Sequence, residues 1–163
     1  MAAYIITHLP KGGKVIEIMG YMKTSPAWQR HRGFVNGLSD DGGIEIVAYV
    51  DAGWQGHLAE SAADSLLRLY PDVDAIVSHS DFMADGAKRA ADRLYPGNDY
   101  IFVGADGFGT PGLGIEAVEK GELDATAIYP TGGDAIIQTA LKILKGDEST
   151  RILSLRRVPA RVL

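Results

Sequence analysis

No cysteine occurs among the 163 residues, which excludes disulfides, thiolate metal sites and a cysteine nucleophile. It does not identify a compartment, because a protein with an adequate core needs no disulfide in cytoplasm or periplasm. Basic charge is also short: 16 Lys and Arg stand against 21 Asp and Glu, a net charge of -5. A nucleic-acid surface would require the opposite field, so no nucleic-acid partner is expected. No apolar run approaches the ~20 residues that span a bilayer. The opening "MAAYIITHLPKGGK" lacks the basic start and cleavage site of a signal peptide. Within it, "AAYIITHL" reads as the last turns of a helix whose start is missing. Catalytic signatures are missing as well: there is no G-x-x-x-x-G-K-[ST] phosphate loop and no G-x-S-x-G elbow. "GADGFGTPGLG" does not fit the G-x-G-x-x-G fingerprint and reads as a turn. His8, His31, His57 and His79 are scattered without metal-ligand spacing. Neither an enzyme, a metal site nor a cofactor is expected.

What is present is ordinary globular composition, 46% hydrophobic and 23% charged, far from the signature of disorder. The length suits one domain spanning residues 1–163. Short β-branched runs alternate with helical patterns. "KVIEIM" (14–19) reads as a strand, and Ser25 and Pro26 supply an N-cap and a first-turn proline for a helix over 27–38. "DDGG" resets the chain for the strand "IEIVAYV". A helix over 58–70 places Leu58, Ala62, Leu66 and Leu69 on one face, and Pro71 stops it. "VDAIVSH", a helix over 82–95, "DYIFVGA", a helix over 114–120, "ATAIY" and a helix over 133–145 continue the series, with "RILSL" as a last strand. The stretch from Lys145 to Arg151 reads as a loosely held connection. Right-handed βαβ crossovers of this kind build a parallel sheet covered on both faces, so the expected fold is α/β, a doubly wound, Rossmann-like three-layer αβα sheet.

Open parallel sheets bind ligands beyond the carboxyl ends of their strands. Tyr21, Ser25, Trp28 and Arg30 follow the first strand; Asp51, Trp54 and Gln55 the second; His79, Ser80, Asp81 and Phe82 the third. Asp106 and Phe108 follow the fourth, and Tyr129 and Thr131 the fifth. Guanidinium and carboxylate groups engage adjacent sugar hydroxyls in pairs, and an aromatic face packs on ring C–H groups. Each residue also has a plain structural reading. Arg30 suits a solvated helix surface, Trp54 a cap on the core, and Asp81 and Asp106 a helix cap or a turn.

The blocks "GKVIEIMG...SPAWQRHRGF", "DAGWQGHLAESAADSLLRLYPDVDAIVSHSDFMADGA", "VGADG" and "GELDATAIYP...ALKILKG" resemble, in order and spacing, the type I periplasmic sugar-binding proteins. This ribose-binding-protein-like group shares its fold with the effector domains of LacI-type repressors. The resemblance covers about Gly13 to Gly146 and corresponds to the carboxyl-terminal lobe of a two-lobed protein that holds its ligand between the lobes. It implies that Arg30 reaches the sugar, that Trp54 packs on its ring and that Asp106 binds hydroxyls. Ser80 stands where the family has Asn, beside the matching Asp81, and Tyr129 stands where ribose-type members carry Gln, so ribose itself is not implied. The implied partners are a monosaccharide, the missing amino-terminal lobe, and a membrane permease of an ABC importer or a sensor kinase, all in the periplasm. A LacI-type repressor effector domain is the alternative. Trp54 and Tyr129 on the inner face are expected to favour homo-oligomers, and the lobe alone is expected to bind sugar weakly.

Overall fold

The computed structural model describes residues 1–39, 43–129, 131–146 and 161–162. The chain divides into two compact units, residues 1–128 with Val162, and residues 129–161.

The first unit is built on a parallel sheet. Its strands are β1 (Gly13–Met19), β2 (Ile44–Asp51), β3 (Ala75–Ser78), β4 (Ile101–Asp106) and β5 (Ala125–Ile128), in the order β2-β1-β3-β4-β5. The four pairings among β1 to β5 are all parallel. The expected doubly wound α/β architecture is thus present. Helix α1 (Ala2–His8) and α2 (Ser25–Leu38) lie over one face, α3 (Gly56–Leu69) and α4 (Asp81–Leu94) over the other. The strands alternate accordingly: Val15, Ala75, Val77 and Val103 pack with Ile5 and Phe34, whereas Ile16, Ile18, Ile76 and Phe102 pack with Ala63, Leu67 and Ala87. This two-sided burial explains why the strands read as continuous apolar runs. The short α5 (Gly114–Glu119) precedes β5.

Two boundaries differ from expectation. Thr24, not Ser25, is the N-cap of α2, and Pro26 lies in its first turn. In α3 the buried stripe is Ala59, Ala63 and Leu67, one position on from the expected face; Leu58 is 41% and Leu69 70% exposed. The reason lies in the partner helix. Helix α4 buries Ala84, Gly86, Ala87, Ala90 and Ala91, a face of small residues that admits a second small-residue face at close range. A Cβ on Gly86 would overlap the Gly56 carbonyl oxygen, and one on Gly56 would stand 2.7 Å from the Phe82 carbonyl oxygen. Close backbone approach has been favoured over burial of the larger leucines.

In the second unit, α6 (Gly133–Leu144) starts after Gly132, whose φ of 77° suits glycine. The expected strand "RILSL" and most of the stretch from Lys145 to Arg151 lie outside the described residues. No described helix is long and apolar enough to cross a membrane.

Candidate ligand-binding site at the carboxyl ends of the strands

In a sheet ordered 2-1-3-4-5, successive crossovers leave in opposite directions between β1 and β3, which opens a crevice at their carboxyl ends. Arg30, in the second turn of α2, reaches across it. Its Nη2 donates to Asp106 Oδ1 at 2.8 Å and its Nη1 donates to the His79 carbonyl oxygen. Its guanidinium carbon lies 5.2 Å from the centre of the Trp54 ring, within cation–π range. Side chains from three segments therefore meet: Arg30 on α2, Trp54 in the turn after β2, and Asp106 at the end of β4. The Arg30 and Asp106 side chains are mostly buried, at 18% and 13% exposure.

The backbone at this meeting point is unusual. Among the described residues, Trp54 (φ 66°) and Asp106 (φ 113°) are the non-glycine residues with positive φ. Side chains rarely tolerate this region, and it persists where the surroundings enforce it, commonly at ligand sites. Gly20 supplies space for the indole: a Cβ there would overlap the Trp54 ring.

Ser80 and Asp81 do other work. Ser80 caps α4, its Oγ accepting the Met83 N–H at 3.3 Å. Asp81, also expected among the ligand contacts, is fully buried and both of its oxygens accept hydrogen bonds. Oδ1 accepts the Thr126 hydroxyl at 2.6 Å and Oδ2 the Phe108 N–H at 2.9 Å. Gly104 and Gly114 make room for these oxygens, since a Cβ on either would collide with the carboxylate. Burial pushes the Asp81 carboxyl above its ordinary range, against the pull of the hydrogen bonds from Thr126 and Phe108. Asp81 thus ties the loop after β4, through Phe108, to Thr126 in β5. Tyr129 belongs to the second unit and is 45% exposed.

Sequence reasoning missed the polar layer beneath the crevice. Glu17, within β1, is fully buried. Its Oε1 pairs with His79 Nε2 at 2.9 Å and its Oε2 with His31 Nδ1 at 2.8 Å. The available signal was a single carboxylate inside the apolar run "KVIEIM", a residue type that is buried only when paired.

Residues 1–148 match the periplasmic binding protein domain family. The chain is 35% identical over 147 residues to the ribose import binding protein of Escherichia coli K12, covering 89% of this chain and 48% of that protein. The fructose-binding periplasmic domain of a hybrid two-component system superposes with a TM-score of 0.89 at 35% identity, covering 99% of this chain and 53% of that one. A solute-binding protein of an ABC transporter from Actinobacillus succinogenes, solved with D-allose, gives a TM-score of 0.85 at 28% identity, covering 99% and 56%. The chain spans about half the length of these relatives. With the match running through both the sheet and the crevice loops, the chain belongs to the periplasmic binding protein domain family.

Proposed function

We propose that this chain forms one wall of a monosaccharide site, as a solute-binding lobe for ABC-type sugar import or as the sugar-sensing part of a periplasmic receptor. The observation that carries the reading is the convergence of Arg30, Asp106 and Trp54, two of them on strained backbone. Arg30 offers paired donors, Asp106 paired acceptors, and Trp54 an apolar face, which together suit a sugar ring with adjacent hydroxyls. Ser80 lies at the crevice as the cap of α4. Relatives that bind ribose, fructose and allose support a sugar over other small solutes. Ligand is held by closure of a second lobe over this one, the hinge motion of periplasmic binding proteins.

The test is a calorimetric screen of pentoses, hexoses and inositols on the full-length protein, with Arg30→Ala and Asp106→Ala. A hydrogen bond to a charged group is worth about 1.5–3 kcal/mol, so each substitution should weaken the preferred sugar roughly ten- to hundredfold. The 163-residue chain alone should bind it only in the millimolar range or above, because one wall leaves the ring solvated. Silence across the panel from a folded full-length protein would refute the reading.

A further inference from the structure

We propose that the buried Glu17–His79 pair is the positioning element of the Arg30–Trp54 clamp, acting through the tautomer of the His79 ring. The inference rests on the sugar-site reading for its biological meaning, although its physical content does not.

The Gly20 N–H donates to His79 Nδ1 at 3.2 Å. A backbone N–H can only donate, so Nδ1 presents its lone pair and the ring hydrogen sits on Nε2, facing Glu17 Oε1 at 2.9 Å. His79 is fully buried, as is Glu17, so neither can exchange its partner for water without opening the core. Glu17 thereby fixes the imidazole in one tautomer and one orientation, as a carboxylate orients a histidine from behind in other sites. His31, on α2 one residue after Arg30, occupies the other Glu17 oxygen and keeps the carboxylate from turning.

The consequence propagates to the clamp by two routes. Through Nδ1 the ring holds Gly20, the residue against which the Trp54 indole rests. The His79 and Trp54 rings are themselves 6.2 Å apart between centres. Through its carbonyl oxygen His79 accepts Arg30 Nη1, so the same residue locates both the aromatic floor and the guanidinium. Glu17 touches neither Arg30 nor Trp54 among the hydrogen bonds described; its effect on them runs through His79.

The experiment compares Glu17→Gln with Glu17→Leu in the 163-residue chain by ¹⁵N NMR. Gln keeps an acceptor for His79 Nε2–H, and its amide can donate to a His31 of the other tautomer; Leu fills the space and offers no acceptor. Wild type should show a neutral His79 protonated on Nε2. In Glu17→Leu the Trp54 indole and Arg30 guanidinium resonances should move, while the Trp28 indole stays in place as an internal control. Glu17→Gln should restore them close to wild type. A His79 protonated on Nδ1 in the wild type overturns the proposal even if Glu17→Leu fails to fold. So does a folded Glu17→Leu whose Trp54 and Arg30 signals coincide with those of wild type. In the full-length protein, Glu17→Leu should weaken the preferred sugar about tenfold and Glu17→Gln less than threefold. If wild type binds no sugar but the resonances move as described, the positioning role stands and the sugar reading falls.

Discussion

Replacing glycine by alanine inside a helix ordinarily stabilises it by about 0.5–1 kcal/mol, because glycine loses more backbone freedom on folding. Two helical glycines of this chain should respond with opposite signs. Gly33, inside α2, has nothing within 4 Å of the position its Cβ would take, so Gly33→Ala should yield the full propensity gain. With about 2–4 °C per kcal/mol for a chain of this size, its melting temperature should rise by about 1–4 °C. Gly86, inside α4, faces the first turn of α3, where a Cβ would overlap the Gly56 oxygen and lie 3.0 Å from the Gly56 carbonyl carbon and 3.3 Å from the Glu60 nitrogen. The overlap with the Gly56 oxygen sets the least movement, so the helices must part by roughly 1 Å, and a gap of that size forfeits up to about half of each contact it opens. The obstacles are backbone atoms, which no rotamer change can clear. Taking the upper part of the ~1–3 kcal/mol range for overpacking and subtracting the propensity gain leaves Gly86→Ala destabilised by about 2 kcal/mol, or a melting temperature about 4–8 °C lower. Thermal unfolding of both variants beside wild type, followed by circular dichroism, measures the two shifts, and urea unfolding the free energies behind them. A neutral or stabilised Gly86→Ala would refute the account of the α3–α4 seam.

Gly20→Ala should push the Trp54 indole from its seat, changing its fluorescence and costing roughly 1–3 kcal/mol in chemical denaturation; an unchanged emission spectrum would count against the packing described. Asp106→Asn should fold almost as well as wild type, within about 1 kcal/mol, since Asn tolerates positive φ, yet lose the charge opposite Arg30 and with it most sugar affinity, as calorimetry on the full-length protein would show. Asp81 binds its proton more tightly folded than unfolded, so its contribution to stability is complete below the unfolded value and is lost as pH rises through the raised, folded one. The stability of wild type relative to Asp81→Asn should therefore decline with rising pH across that window, and a difference that grows instead would contradict the burial of the carboxylate.

The alternation of strands and helices was legible because a sheet buried on both faces writes short continuous apolar runs, as in Ala75–Ser78 and Ile101–Asp106. The buried face of α3 was not, because hydrophobicity alone favours leucines over alanines, and only the small residues of α4 decide that closeness matters more. In the site, strand-end logic located Arg30, Trp54 and Asp106, which the fold brings together. The same logic did not show that Asp81 is buried and bonded to Phe108 and Thr126, since an exposed loop carboxylate and a buried one look alike in one dimension. His79 was named only as a strand-end residue and Glu17 was passed over, because strand-end logic reads the rim of the crevice and not a carboxylate inside a strand, so their pairing was not seen.

The positive φ at Trp54 and Asp106 restricts the alphabet available to these two positions. From Asp106 the inexpensive exits are Asn and Gly, which tolerate that backbone, while β-branched residues are closed off. Any drift in ligand preference at this corner must then pass through loss of the negative charge or of the side chain altogether. Arg30, on regular helix, is under no such rule, and new specificities are easier to reach by rebuilding around a fixed Asp106 than by replacing it.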